Sequence, residues 1–164
     1  MTIRDATEAD LPAIVEIYNA AISSRRATAD TEPVSIESRS GWFREHHPDH
    51  RPLWVAVDNG TVIGWLSFQS FYGRPAYQAT AELSVYVSPS KHGRGMGHAL
   101  VAKAIEYAPR LGLKTLLGFI FGHNDASLRL FEGFGFQRWA LLPGVAELDG
   151  TARDLVIVGR RLVP

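Results

Sequence analysis

The chain has 164 residues, 46% of them apolar and 21% charged, values that suit one globular domain with a proper hydrophobic core. Its 17 acidic and 17 basic side chains cancel, so no global field recruits nucleic acid or an anionic membrane, and any anion site must be local. The absence of cysteine excludes a disulfide scaffold, a thiolate metal site and a cysteine nucleophile.

No apolar run approaches the roughly 20 residues of a membrane span. The opening MTIRDATEAD is charged early and has no apolar segment, so the expectation is a cytoplasmic protein without a signal peptide. Thr2 to Arg4 reads as a short strand. Thr7 fits a helix N-cap with acidic residues behind it, and Leu11, Ile14, Val15, Tyr18 and Ile22 follow at helical spacing. Glu32 to Ser35 reads as a turn with Ser35 as the next cap, and 36–46 as a second helix weakened by Gly41. Strands are expected at 53–57 and 61–68 around Asp58-Asn59-Gly60, since Asn-Gly is a strong hairpin signal. A further strand is expected at 81–87 and a buried central one at 114–121, whose apolar run is continuous.

A helix over 97–108, stopped by Pro109 and Gly112, links these two strands. A shorter helix over 124–134 ends at Gly135, and strands over 136–142 and 153–162 close the chain. The fold class expected is α+β: a central mixed, mostly antiparallel sheet of about seven strands flanked by about four helices. Residues 1–164 read as a single domain, without repeat or linker.

The turn Ser88 to Leu100, SPSKHGRGMGHAL, stands between the 81–87 strand and the helix. A helix N-terminus offers unpaired N–H groups and partial positive charge, and glycines let an anion come close. Gly93, Gly95 and Gly97 supply that access, with Arg94 and Lys91 as mobile charge. Taken alone, the turn fits a diphosphate site and a tight turn that binds nothing equally well. It lacks the Gly-Lys-Ser/Thr of a P-loop, and its G-x-G-x-G spacing in mid-chain is not a dinucleotide fingerprint.

H-G-R-G-M-G at 92–97 resembles the Q/R-x-x-G-x-G/A signature of the GNAT superfamily of N-acetyltransferases, with His92 where glutamine or arginine is usual. The opening I-R-x-A-T-x-x-D-L-x-x-I, the Asn-Gly hairpin, the V-Y-V strand, and N-D-A-S followed by L-F-E-G-F-G-F agree in order, so the likeness spans essentially the whole chain. Within the superfamily, I-Y-N at 17–19, T-E-P at 31–33 and R-P-A-Y-Q-A-T-A-E-L-S-V-Y-V at 74–87 are similar to the phosphinothricin acetyltransferase group. Those enzymes acetylate the α-amino group of phosphinothricin or related methionine analogues.

That resemblance implies acetyl-CoA as co-substrate and no metal. It implies that Gly93, Arg94, Gly95, Met96, Gly97 and His98 wrap the pyrophosphate. The backbone of Val85, Tyr86 and Val87 would pair with the pantetheine arm, Asn124 would reach the same arm, and Ser127 would stand near it. Glu82 matches the general base. A carboxylate there would take the proton of an amine that is ammonium at neutral pH. The alternative for Glu82 is an outward-facing residue on a half-exposed strand.

Arg74 and Tyr77 match substrate-facing positions, where a guanidinium would hold a carboxylate or phosphinate. Phe131 departs from the tyrosine of many GNAT enzymes and the histidine of this group, so it supplies no general acid. Ala29-Asp30 stands where the group tends to show an aromatic and a basic residue. Loops 24–34 and 69–80 are expected to shape the pocket.

The run R-E-H-H-P-D-H at 44–50 has no ordered ligand spacing and reads as a solvated loop rather than a metal site. Trp42, Trp65 and Trp139 read most simply as core, with a substrate tunnel as the alternative. The function expected is acetyl transfer to a small carboxylate-bearing amine by a homodimer. A peptide N-acetyltransferase and a non-catalytic acyl-CoA sensor are the alternatives.

Overall fold

A computed structural model describes residues 1–162. β1 (Thr2–Asp5) leads through a 3₁₀ turn, Glu8–Asp10, into α1 (Leu11–Ser24). Thr7 governs that entry, but its partner is more elaborate than a simple cap. Its backbone N–H and its hydroxyl both donate to the Asp10 carboxylate, at 2.7 and 3.2 Å. The same carboxylate receives the Arg4 guanidinium through two bonds of 2.7 and 3.0 Å. The hydrogen bond from Arg4 holds the Asp10 carboxyl below its ordinary range, outweighing burial.

Asp10 is 8% exposed, so Asp10→Ala is expected to cost roughly 1–3 kcal/mol, with the Thr7 amide losing its cap and Arg4 its partner. Because the folded carboxyl titrates below its unfolded value, this stabilisation is present above the usual aspartate range. It is lost as pH falls through the lowered value. Denaturant titrations of wild type and Asp10→Ala should therefore differ at neutral pH and converge in acid; a gap that persists in acid would refute the ion-pair account.

α2 (Ile36–Arg44) begins at Ser35, whose hydroxyl accepts the Ser38 N–H at 3.1 Å, and ends two residues before the expected boundary. His46 instead turns inward. Its ring meets the Trp42 carbonyl at 2.8 Å and the fully buried Ser67 hydroxyl at 2.7 Å. Burial keeps its pKa below the ordinary histidine value. His47 and His50 pack against each other at the surface. The 44–50 run is thus solvated only in part.

The seven strands form one sheet in the order β1-β2-β3-β4-β5-β7-β6. β2 (Leu53–Asp58) and β3 (Thr61–Ser70) join through Asn59-Gly60, both at positive φ as that two-residue turn requires. β4 (Thr80–Val87) is antiparallel to β3 and parallel to β5 (Thr115–Phe121), with α3 (Met96–Tyr107) as the crossover. α4 (Asp125–Gly133) precedes the final hairpin of β6 (Gln137–Leu148) and β7 (Thr151–Arg161).

β6 runs well past the expected end at 142. Pro143-Gly144 looks like a stop, but β6 is an edge strand, where a missing N–H is tolerated. The register shifts between Leu142 and Ala146, Gly144 takes φ +62°, and its N–H donates to Asp154 at 2.8 Å. The bulge carries the strand on to Leu148.

Each face of the sheet has its own core. Leu66, Phe68, Leu83, Leu116 and Val158 meet Leu100, Val101 and Leu128 of α3 and α4. On the other face Val55 and Trp65 meet Ile14, Ile17, Tyr18 and Ile22 of α1. Trp65 is 1% exposed, and its indole N–H donates to the Ile14 carbonyl at 3.1 Å. Strand alternation puts Leu83 on the α3 face and Glu82, Ser84 and Tyr86 on the α1 face.

Candidate active site

β4 and β5 pair over three residues, Thr80 with Thr115, Ala81 with Leu116 and Glu82 with Leu117. Beyond Glu82 no pairing joins them, and a cavity of about 440 Å³ opens there. The Ser88 N–H donates to the Ile63 carbonyl at 2.8 Å. Antiparallel alternation from that bond turns the backbone groups of Leu83, Val85 and Val87 away from β3 and towards the gap. The Val87 carbonyl is met by the His92 ring at 2.8 Å. The sequence's departure at His92 therefore has a local structural use, closing the glycine turn onto β4.

Glu82 lines the cavity at the point of divergence. Among the described residues, no side-chain hydrogen bond reaches its carboxylate, and burial alone pushes its pKa up. Val85 and Tyr86 line the wall beyond it. The Tyr86 hydroxyl donates to the Ala27 carbonyl at 3.1 Å, and burial pushes this phenol well above its usual range.

The glycine turn lies at the start of α3. Gly93 and Gly95 take φ +76° and +79°, and Gly95 caps the helix without any side chain to satisfy its first N–H groups. A Cβ on Gly97 would lie 3.3 Å from Leu130, so this turn packs close to α4. Met96 leans on the core, the His98 ring packs at a tilt against Phe134 with centroids 4.5 Å apart, and Arg94 is exposed. An uncapped, glycine-lined helix start and a strand edge without a partner fit the diphosphate and the amide arm of a coenzyme A thioester.

Asn124 caps α4, its side-chain oxygen accepting the Ser127 N–H at 3.2 Å. Its amide also donates to the Arg26 carbonyl at 3.1 Å. Asn124, Ser127 and Phe131 all line the cavity. Phe131 is 4% exposed and sits edge-on to Phe136, a wall rather than a proton donor.

Arg74 and Tyr77 do not line the cavity of the single chain. Both are exposed, at the 3₁₀ turn Pro75–Tyr77, and Tyr77 packs edge-on to Phe71 at 5.3 Å. Phe71 in turn lies 6.5 Å from Phe119, which does line the cavity. The tunnel alternative for the tryptophans fails, because none lines the cavity. Trp65 is core and Trp42 packs on it at 5.4 Å, but Trp139 is not core: it is 46% exposed and covers Gly159 from the surface, where a Cβ would meet its ring at 2.0 Å.

Two walls were not assigned residue by residue from the sequence. One is Ala27, Thr28 and Ala29, from a loop already expected to shape the pocket. The other is Val145, Ala146 and Leu155 from the last hairpin. The second is visible only once β6 continues through Pro143, and no local signal announces that. Among the described residues no helix is long and apolar enough to cross a membrane.

Comparison with known proteins agrees with this geometry. The sequence profile of the acetyltransferase (GNAT) family matches residues 12–136. The chain is 53% identical over 163 residues to YwnH of Bacillus subtilis, provisionally named a phosphinothricin acetyltransferase, with 99% of each covered. It is 35% identical to the L-methionine sulfoximine/L-methionine sulfone acetyltransferase of Salmonella typhimurium, covering 99% of this chain and 95% of the relative. A GNAT superfamily phosphinothricin acetyltransferase from Sinorhizobium meliloti, solved with acetyl-CoA, superposes with a TM-score of 0.92 at 31% identity, covering 98% of this chain and 87% of that one. The chain belongs to the acetyltransferase (GNAT) family, as an acetyl-CoA-dependent N-acetyltransferase resembling the phosphinothricin acetyltransferases.

Proposed function

We propose that the protein acetylates the amino group of a small carboxylate-bearing amine of the methionine sulfone, methionine sulfoximine or phosphinothricin kind, with Glu82 as general base. The observation that carries this reading is a half-buried carboxylate, free of hydrogen bonds among the described residues, at the mouth of the β4–β5 gap. Such a group accepts a proton at neutral pH more readily than an exposed glutamate.

Acetyl-CoA supplies the acetyl group as a thioester. Gly93 to His98 receive its diphosphate, the backbone of Val85 to Val87 pairs with its arm, and Asn124 and Ser127 border that arm. The amine nitrogen attacks the acetyl carbon, the carbon–sulfur bond breaks, and the amine's proton passes to Glu82 directly or through water. The N–H of Val87 holds the carbonyl oxygen as it gains charge. Water returns a proton to the departing sulfur, since Phe131 cannot. With no cysteine in the chain, transfer is direct, both substrates being bound together.

Arg74 and Tyr77 hold the substrate carboxylate. Their distance from the single-chain cavity fits a homodimer whose subunits pair near the pocket. The protein works as a single domain over 1–164, in the cytoplasm.

Release of free CoA thiol from acetyl-CoA tests this reading against methionine sulfone, methionine sulfoximine, phosphinothricin, ordinary amino acids, polyamines and N-terminal peptides. Turnover concentrated on the amino acids and their analogues is expected. Turnover confined to polyamines or peptides would overturn the substrate assignment.

A further inference from the structure

Beyond the inward His46, the run R-E-H-H-P-D-H at 44–50 builds one compact turn that ends on Arg51. His47 and Arg51 exchange both main-chain hydrogen bonds, at 3.0 Å each, as an isolated antiparallel bridge. The His50 N–H donates to the His47 carbonyl at 3.1 Å. The backbone of Arg51 is thereby fixed before β2 begins.

The Arg51 side chain is half-buried, and burial lowers its pKa. Among the described residues no carboxylate lies within ion-pair distance of it. Its donors go to neutral oxygens instead. Nε donates to the Ser70 hydroxyl at 3.1 Å, and the two terminal nitrogens donate to the Gln78 carbonyl at 2.8 Å and the His50 carbonyl at 3.0 Å. Ser70 ends β3, and Gln78 stands two residues before β4. One planar group with several fixed donors therefore joins both ends of the 71–77 segment to the turn.

That segment needs an external hold. Tyr72 and Gly73 take φ +57° and +64°, and left-handed backbone is costly for a bulky residue such as tyrosine. Tyr72 is 77% exposed, so little burial offsets the cost. Its ring meets only its own neighbours, Phe71 at 4.4 Å and Tyr77 at 6.3 Å. Arg74 and Tyr77 stand on the same segment, at the cap and the last residue of its 3₁₀ turn.

We infer that Arg51 is a positioning residue for acetyl transfer: held by the 47–51 turn, it fixes the 71–77 segment in the pose that presents Arg74 and Tyr77 to the carboxylate of the amine. This rests on the carboxylate-holding role proposed above for Arg74 and Tyr77. Arg51 acts through the ends of the segment and touches no substrate.

The test uses steady-state kinetics with methionine sulfone and with methylsulfonylpropylamine, which is the same amine without its carboxylate. Arg51→Met keeps the length of the stem but none of its donors, and the main-chain bridge to His47 survives it. This variant is expected to raise KM for methionine sulfone about tenfold, with kcat changed less than about threefold. KM for acetyl-CoA and for methylsulfonylpropylamine should stay within about twofold. Arg51→Lys, which reaches one acceptor but not both, should recover part of the loss. Arg51→Met combined with Arg74→Met should match Arg74→Met alone within about twofold, because either change removes the same contact. A merely structural role would lower the thermal midpoint and the active fraction while leaving every KM in place. That outcome, additive effects in the double variant, or an equal rise in KM for both amines would overturn the inference.

If Arg74→Met alone leaves KM for methionine sulfone unchanged, or if no amine is turned over, the reading of Arg74 fails. The hold on the segment is then judged by amide hydrogen exchange at Tyr77 and Gln78, whose N–H groups donate to the Arg74 and Pro75 carbonyls at 2.9 and 3.3 Å. Faster exchange there in Arg51→Met, with β5 unchanged, supports it, and unchanged exchange refutes it.

Discussion

Glu82→Gln is expected to lower kcat/KM for the acetylated amine by about 10²- to 10⁴-fold, the usual contribution of a positioned general base. Glutamine keeps the volume and the polarity at the β4–β5 divergence but cannot take a proton, so acetyl-CoA affinity should be little changed. The pH dependence carries the finer test. Burial raises the Glu82 pKa, and in the proposed role the ionised form is the active one. Wild-type kcat/KM should therefore climb with pH through a limb lying above the ordinary glutamate range. That limb should vanish in the variant, leaving only the limb of the amine itself.

The sign for stability is opposite. A folded carboxyl with a raised pKa favours folding fully below its unfolded value and loses that contribution as pH rises through the folded one. At neutral pH Glu82 is thus a burden on the fold, and Glu82→Gln should melt at the same temperature as wild type or above it. A variant that keeps its turnover would remove Glu82 from the mechanism. One that loses turnover because it unfolds would be exposed by its melting curve.

Trp65→Ala is expected to be the most damaging change to the fold, at roughly 3–5 kcal/mol, against a total stability of about 5–15 kcal/mol for a typical domain. Trp65 is 1% exposed and packs against Tyr86, Trp42 and Tyr18 at centroid distances of 4.7, 5.4 and 6.3 Å. Removing it leaves a large void at the joint of α1, α2 and β3. Tyr18 and Tyr86 lose a shared neighbour, and because Tyr86 lines the cavity the surviving folded fraction should also show a raised KM for the amine. Equilibrium denaturation measures the first effect and steady-state kinetics the second. A loss below about 1 kcal/mol would show that the surrounding rings collapse into the space.

Much of this architecture is legible from residue patterns because the local signals agree with one another. Asn59-Gly60 dictates a hairpin, the apolar run 115–121 dictates a buried strand, and Ser35 and Asn124 cap helices as their chemistry suggests. The glycine turn is legible for the same reason: Gly93 and Gly95 adopt the positive φ that only glycine takes without strain.

What is hidden depends on partners far apart in sequence. Pro143-Gly144 ends a strand on any local rule, and only the edge position and the Asp154 carboxylate explain why β6 continues. Residues 25–28 have no periodicity, and their placement comes from Tyr18, Tyr86, His123 and Asn124. Arg74 and Tyr77 show the converse, being prominent in the sequence yet exposed and outside the single-chain cavity.

The brief contact between β4 and β5 reaches beyond catalysis. Three paired residues hold the two halves of the sheet together, and past Glu82 the amide hydrogens of Val85 and Val87 have no strand to protect them. In the free protein these amides exchange with solvent through small local openings, while those of Leu66 and Phe68 wait for rarer, larger ones. A ligand arm lying in the gap takes the place of the missing strand and adds RT ln(1 + [L]/Kd) to stability, about 2.7 kcal/mol at a hundredfold excess over Kd. With the co-substrate's arm in this seam, as proposed, the protein's resistance to unfolding would rise with the concentration of acyl donor.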